Sequence, residues 1–253
     1  MEPKKGDTIA VWISCGAASA VALKKTVEMY GELCTIRAVN NPIAEEDSDN
    51  IRFLHDVSKW CGIEIEYARR ERYPDDSAVS VWEHRSYMSG VSGAPCTVEL
   101  KKRARQEWEN NNKVQWHVLG FTSDEKPRHA NFIRTERDNV LPVLIKAGLN
   151  KQACMDIITQ AGLVPPRIYA MGYPNANCIG CVKATSPTYW NLVRRQHPEV
   201  FKARAEQSRR LGAKRTRYKG ERMYLDELPE HAKGRSIKTM TIECSSFCEE
   251  KEL

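Results

Sequence analysis

The chain has 253 residues, 41% of them hydrophobic and 28% charged, with a formal net charge of +6. That balance fits a globular protein with one large core, or a core and a small appendage. No apolar run reaches about 18 residues, which excludes a helical membrane span, and the first seven residues carry no apolar leader, so a cytoplasmic protein without a membrane partner is expected.

In chain order, residues 8–14 (TIAVWIS) read as a buried strand, followed by the turn Cys15-Gly16-Ala17 and a helix-compatible run over residues 19–30. Residues 33–39 form a second strand. Residues 49–60 are amphipathic, with Ile51, Phe53, Leu54 and Val57 assigned to or near one face, and residues 63–67 form a third strand. This β-α-β-α-β order predicts an α/β fold: a mostly parallel central sheet with helices on both faces. Residues 71–93 show no regular pattern. Residues 98–108 read as a charged helix, 115–119 as another sheet strand, 124–137 as helical in part, and 149–161 as a helix ended by Gly162 and Pro165-Pro166. A boundary near Pro165 divides an α/β nucleotide-binding domain, 1–165, from a helical, cysteine-containing C-terminal appendage, 166–253, which can share the main core. Helices are expected there over residues 187–195 and 198–211.

The segment Ser14-Cys15-Gly16-Ala17-Ala18-Ser19 lies between the first strand and the first helix. Small residues there leave main-chain N–H groups open to an anion, and the aligned peptide dipoles favour negative charge. Ser14 and Ser19 add hydroxyl donors. A tight turn serving only helix–sheet packing has equal standing from composition. The glycine spacings of the P-loop and the dinucleotide fingerprint are absent, as is the P-loop lysine.

The strand and turn resemble the Ser-Gly-Gly-x-Asp-Ser loop of the PP-loop superfamily, and later segments resemble its phosphoadenosine-phosphosulfate (PAPS) reductase-like branch. Ser14, Gly16 and Ser19 match, Cys15 takes a glycine place, and Ala18 takes the aspartate place. In nucleotide-cleaving relatives that aspartate is associated with catalysis and magnesium. The resemblance therefore implies binding of an adenine nucleotide, ATP or a sulfonucleotide, at Ser14, Cys15, Gly16, Ala17 and Ser19, and Ala18 counts against ordinary ATP cleavage. Gly93-Ala94-Pro95-Cys96-Thr97, followed by Leu100-Lys101-Lys102, resembles a cysteine-containing turn and helix across the nucleotide site. Cys96 and Lys102 (or Lys101) become candidate catalytic groups. Gly120, Glu125 and Arg128 are counterparts of a glycine, a glutamate and an arginine in another stretch of the branch, while Thr122 and Lys126 depart from it. Arg128 can grip a phosphate or sulfate with its planar fork, and Glu125 can bind magnesium or position Arg128. The resemblance covers residues 8–181, with gaps.

Nine cysteines and no export signal argue against a disulfide framework. Cys178-Ile179-Gly180-Cys181 can turn two thiolates toward one ion. Cys244 and Cys248 are the natural completion of a tetrahedral set, suited to a [4Fe–4S] cluster or to zinc. The resemblance favours iron–sulfur; four reduced cysteines packed as small hydrophobes are the plain alternative. The resemblance also offers Cys244 as a nucleophile, because Glu243-Cys244 matches the start of the branch's Glu-Cys-Gly-x-His segment. Thiolate attack on a sulfonucleotide would form an S-sulfonate, a role at odds with metal ligation by the same sulfur. The six histidines lack metal-hydrolase spacing.

A basic run from Lys202 to Arg222, with Tyr218 and Tyr224, can grip nucleic acid or form a solvated face. Three functions follow as expectations: an adenine-nucleotide-dependent enzyme in sulfur transfer or in nucleotide or nucleic-acid modification; a sulfonucleotide reductase using Cys244; or a non-catalytic nucleotide- or nucleic-acid-binding module. Oligomeric state leaves no mark in the sequence.

Overall fold

The computed structural model describes residues 2–90, 93–237 and 244. Its elements begin with β1 (Thr8–Ile13), α1 (Ala17–Tyr30), β2 (Thr35–Asn40), α2 (Asp49–Cys61), β3 (Ile65–Tyr67) and α3 (Ala78–Arg85). There follow α4 (Pro95–Thr97), a π turn (Val98–Arg103), α5 (Ala104–Asn111), β4 (Trp116–Val118), α6 (Lys126–Thr135) and β5 (Val140–Leu141). Next come α7 (Val143–Lys146), α8 (Lys151–Gln160), α9 (Pro187–Gln196), α10 (Pro198–Arg210) and the short strands β6 (Thr216–Tyr218) and β7 (Glu221–Met223).

The chain forms two compact units. The first takes in residues up to 42, 48–69 and 104–167; the second takes in 43–47, 70–103 and the described residues from 168 onward. The chain thus enters the second unit twice before the expected boundary near Pro165.

The first unit is built on a five-stranded sheet of order β3-β2-β1-β4-β5, with every neighbouring pair parallel and helices on both faces. β1 is the middle strand, and Ile9, Ala10 and Val11 are fully buried, as expected where helices cover both faces of a parallel sheet. α1 buries Ala17, Ser19, Ala20 and Ala22 along with Val21 and Leu23; these small side chains let the helix lie close to the strands. α2 buries Phe53, Leu54, Val57 and Cys61, while Ile51 is 67% exposed. The expected face is corrected at that position: two residues from Phe53 along a helix is about 200° of rotation, so both cannot face the core.

Inside the same unit His117 on β4 is buried at 2% exposure. Trp12 Nε1 donates to its Nδ1 at 3.2 Å, and an Arg137 guanidinium nitrogen lies 2.7 Å from its Nε2. Glu109 accepts hydrogen bonds from Arg105 and Arg137, and one of its oxygens lies 3.7 Å from His117 Nε2.

The second unit packs Ile43, Tyr73, Val81, Trp82, Met88, Leu100 and Val182 into one cluster. Its α3 arises where the sequence shows no periodicity. Ser77 caps it by accepting from the Ser80 amide, and the Glu45 carboxylate accepts from the Ala78 and Val79 amides at 2.8 and 3.1 Å. β6 and β7 make an antiparallel hairpin, with Lys219 and Gly220 both at positive φ (49° and 87°) in its turn, the backbone that a two-residue hairpin turn of type I′ requires.

Burial, followed by the charges of Arg137 and Arg105, pushes the His117 pKa down from 6.5 to about 3. Below its ordinary pKa the unfolded chain takes up a proton that the folded chain refuses, so stability must fall as pH drops through that window. The slope from this one group is about 1.4 kcal/mol per pH unit. Urea melts between pH 6.5 and pH 5 should decline less steeply for His117→Gln than for the parent; equal slopes would contradict a neutral buried ring.

Candidate functional site

In open parallel sheets a ligand crevice lies beyond the carboxyl ends of the strands, at the point where strand order reverses. Here that point falls between β1 and β4. Residues 14–19 leave β1 there and residues 119–122 leave β4 there. The Gly16 N-cap of α1 is extended (φ −101°, ψ 155°), no side chain caps the helix, and its first turn holds no acidic residue. First-turn amides have no intrahelical acceptor, so their positive end is unopposed.

Local hydrogen bonds hold this loop. Ser19 Oγ donates to the Gly16 carbonyl at 2.9 Å and accepts from the Ser14 amide at 3.1 Å. Cys15 sits at φ 58°, a left-handed conformation unusual for a side chain with a β-carbon, and it is 1% exposed. Its side chain points into the protein, so what residue 15 can offer the crevice is backbone. Asn40, at the end of β2, donates to the Ile13 carbonyl at 2.7 Å and reaches the Cys15 sulfur at 3.8 Å. Gly120 backs the loop closely: a β-carbon there would stand 3.0 Å from the Ser19 nitrogen and 3.2 Å from the Ala18 carbonyl carbon.

Glu125 is engaged locally. One oxygen accepts from the Thr122 amide and hydroxyl at 3.1 and 3.2 Å, and the other accepts from Arg128 at 2.6 Å. Arg128 is exposed and lies over the Phe121 ring at 5.2 Å. These contacts link Glu125 to both Thr122 and Arg128.

The thiols belong to the second unit. Cys178 and Cys181 flank a turn in which Gly180 has φ 71°. The Tyr189 hydroxyl ties that turn, accepting from the Cys181 amide at 2.9 Å and donating to the Cys178 carbonyl at 3.3 Å. The Ile179 amide donates to the Glu45 carbonyl at 2.9 Å. Burial pushes the Cys181 thiol up to about 11, with the Cys244 charge adding to the effect, and raises Cys178 and Cys96 as well. Cys96, Cys178 and Cys181 each feel the charge of Cys244. Thr97 Oγ1 lies 3.6 Å from the Cys244 sulfur, and Lys101 Nζ donates to the Cys244 carbonyl at 3.4 Å. Lys101 is thus the lysine of this pair placed at Cys244, while Lys102 is half-buried on the π turn. Cys248 lies outside the described residues. Among the described residues, no group of three or more His, Cys, Asp or Glu side chains forms a metal-holding arrangement.

The basic run is not one continuous free face. Arg204 and Arg215 are 4% and 6% exposed. Arg209 pairs with Asp226 and Glu227 at 2.9 and 2.7 Å, and Arg210 pairs with Glu83. Lys202, Lys214, Arg217, Lys219 and Arg222 are exposed. Sequence reasoning missed Asn40, Glu45 and Tyr189, whose roles depend on partners distant in the chain and carry no local signal.

No family model matches the chain, and no curated protein does. Among solved structures, U34-tRNA thiolase NcsA from Methanococcus maripaludis, solved with its [4Fe–4S] cluster, matches with a TM-score of 0.50 and 12% identity over 83% of this chain and 74% of that one. The two chains share a fold. At that identity the likeness is one of fold alone, and it does not select the PAPS reductase-like branch.

Overpacking typically costs about 1–3 kcal/mol, and orphaning a buried carbonyl costs a similar amount. Gly120→Ala and Asn40→Ala should each lower stability by about that much in urea melts, through the backbone of residues 13–19. An unchanged midpoint for Gly120→Ala would mean that the loop yields freely.

Proposed function

We propose that the chain is an adenine-nucleotide-dependent enzyme whose nucleotide phosphates rest on the amides of residues 15–19, in the crevice between the ends of β1 and β4. The observation that carries this reading is the uncapped, acid-free start of α1 at the strand-order reversal, backed by a glycine that leaves the loop room. Ser14 and Ser19 supply hydroxyls, and Arg128 supplies an exposed guanidinium from the first turn of α6. Ala18 leaves the loop without a carboxylate for magnesium, which favours phosphate or sulfonucleotide binding over cleavage of ATP to AMP and pyrophosphate. The shared fold with a tRNA thiolase is consistent with sulfur or nucleic-acid chemistry; it specifies neither substrate nor acceptor.

A panel of ATP, AMP and PAPS, with an added dithiol as reductant and with pyrophosphate and sulfite followed as products, tests this reading. Binding by the parent should weaken about tenfold or more when Gly16→Val crowds the loop, since tenfold corresponds to about 1.4 kcal/mol. Failure of every nucleotide to bind a folded parent would sink the enzyme reading. Sulfite release that is lost in Cys244→Ser would favour the reductase alternative, which the polar neighbours of the Cys244 sulfur support.

The soft-metal reading of Cys178, Cys181, Cys244 and Cys248 rests on donor chemistry and on the electrostatic coupling of the first three, with Cys96 a further thiol in range. It lacks support from a ready-made ligand geometry among the described residues, so no reaction step is derived through a cluster. Buried thiols resist ionising, and a bound cation is what would reverse that preference. Anaerobic purification followed by iron, sulfide and zinc analysis should find one of these metals in stoichiometric amount, lost in Cys178→Ser. Absence of both metals would assign these thiols to packing.

A further inference from the structure

The second unit contains a cavity of about 520 Å³ whose lining, among the described residues, holds cations and hydroxyls and no carboxylate. Its cations are Lys183, Lys214, Arg215, Arg217 and Arg222, with Ser89, Thr185 and Thr216 among the remaining lining residues. We infer that this cavity is a binding site for the phosphoryl group of a phosphate ester.

Two features go beyond a merely positive surface. First, Arg215 is 6% exposed, lines the cavity, and donates from one guanidinium nitrogen to the Ser89 carbonyl at 2.9 Å, while its Nε has no hydrogen-bond partner. A buried guanidinium N–H without an acceptor costs free energy comparable to a lost charged hydrogen bond. An oxyanion in the cavity would supply that acceptor.

Second, the hairpin register sets Arg217 directly opposite Arg222. Like charges facing each other across a strand pair destabilise it. Among the described residues, no carboxylate lines the cavity to relieve this repulsion. A tetrahedral dianion between such groups removes the repulsion and can accept several charge-assisted hydrogen bonds at once. The hydroxyls and the Gly90 and Gly93 backbone add polar groups to the cavity wall. Its volume falls within the range of small-ligand pockets, so it can take a phosphomonoester whole or one phosphodiester of a single strand.

This inference is independent of the reading of residues 14–19, and the test keeps the two apart. Inorganic phosphate, AMP and a short oligothymidylate are titrated against the full chain, the triple variant Lys214→Gln/Arg217→Gln/Arg222→Gln, and Gly120→Ala. A control triple variant carries Lys5→Gln, Lys59→Gln and Lys151→Gln, which removes the same charge from exposed positions of the other unit. The cavity triple should weaken the bound probe about tenfold or more and flatten its salt dependence, while the control triple and Gly120→Ala should retain it. Because the three substituted cavity residues are exposed, folding should survive; Arg215→Lys, checked for a native melt, adds a buried variant that keeps the charge and loses the planar fork. Binding of phosphate or AMP identifies a free monoester, and binding of oligothymidylate alone identifies a strand backbone. No binding of any probe, equal loss in the control triple, or binding lost in Gly120→Ala and kept in the cavity triple would overturn the inference.

Discussion

The turn out of β1 is the constraint on which the first unit's chemistry depends. Asn40 fixes the last carbonyl of that strand, Cys15 takes a left-handed backbone, and Ser19 bonds back to both ends of the turn. Each feature reverses the chain within a few residues, so that α1 starts beside the end of the central strand. Gly120 completes the arrangement by being small: any β-carbon there would press on the Ser19 backbone. The positive end of α1 thereby stays at the strand-order reversal, where an open parallel sheet has room for a ligand.

The second unit is organised by buried polar groups. Glu99 is fully buried and meets Arg70, Arg85 and Arg103 at 3.0–3.3 Å. Glu45 caps α3 with its carboxylate and holds the Cys178–Cys181 turn with its carbonyl. Tyr189 ties the same turn from α9, and the Arg204 guanidinium lies over the Trp82 ring at 4.5 Å. A low-dielectric interior makes each such group costly if its partner is lost. The cysteine turn is therefore held from several directions. At the hairpin, by contrast, Arg217 stands directly opposite Arg222.

Much of the first unit was legible because its signals are local. The buried run of β1, the small residues after it and the alternation of strands with helices all lie within short windows, and each appears in the structure. Ile51 was misread because a cluster of apolar residues was taken for a face without tracking its rotation. α3 was missed because its start depends on Glu45, over thirty residues earlier. Glu125 bonds to Thr122 and Arg128, contacts that no local pattern in the sequence announces.

By itself, the sequence determined the parallel α/β core and the small-residue turn after its first strand, since both follow from hydrophobic period and from residue size at adjacent positions. Tertiary structure alone decided which charges stand in water and which lie inside. The basic run from Lys202 to Arg222 looks uniform in one dimension, yet folding buries Arg204 and Arg215, pairs Arg209 and Arg210 with acids, and turns the rest outward. That sorting depends on carboxylates and rings brought from other parts of the chain, and the energy of a charge is set by those neighbours and by its distance from water.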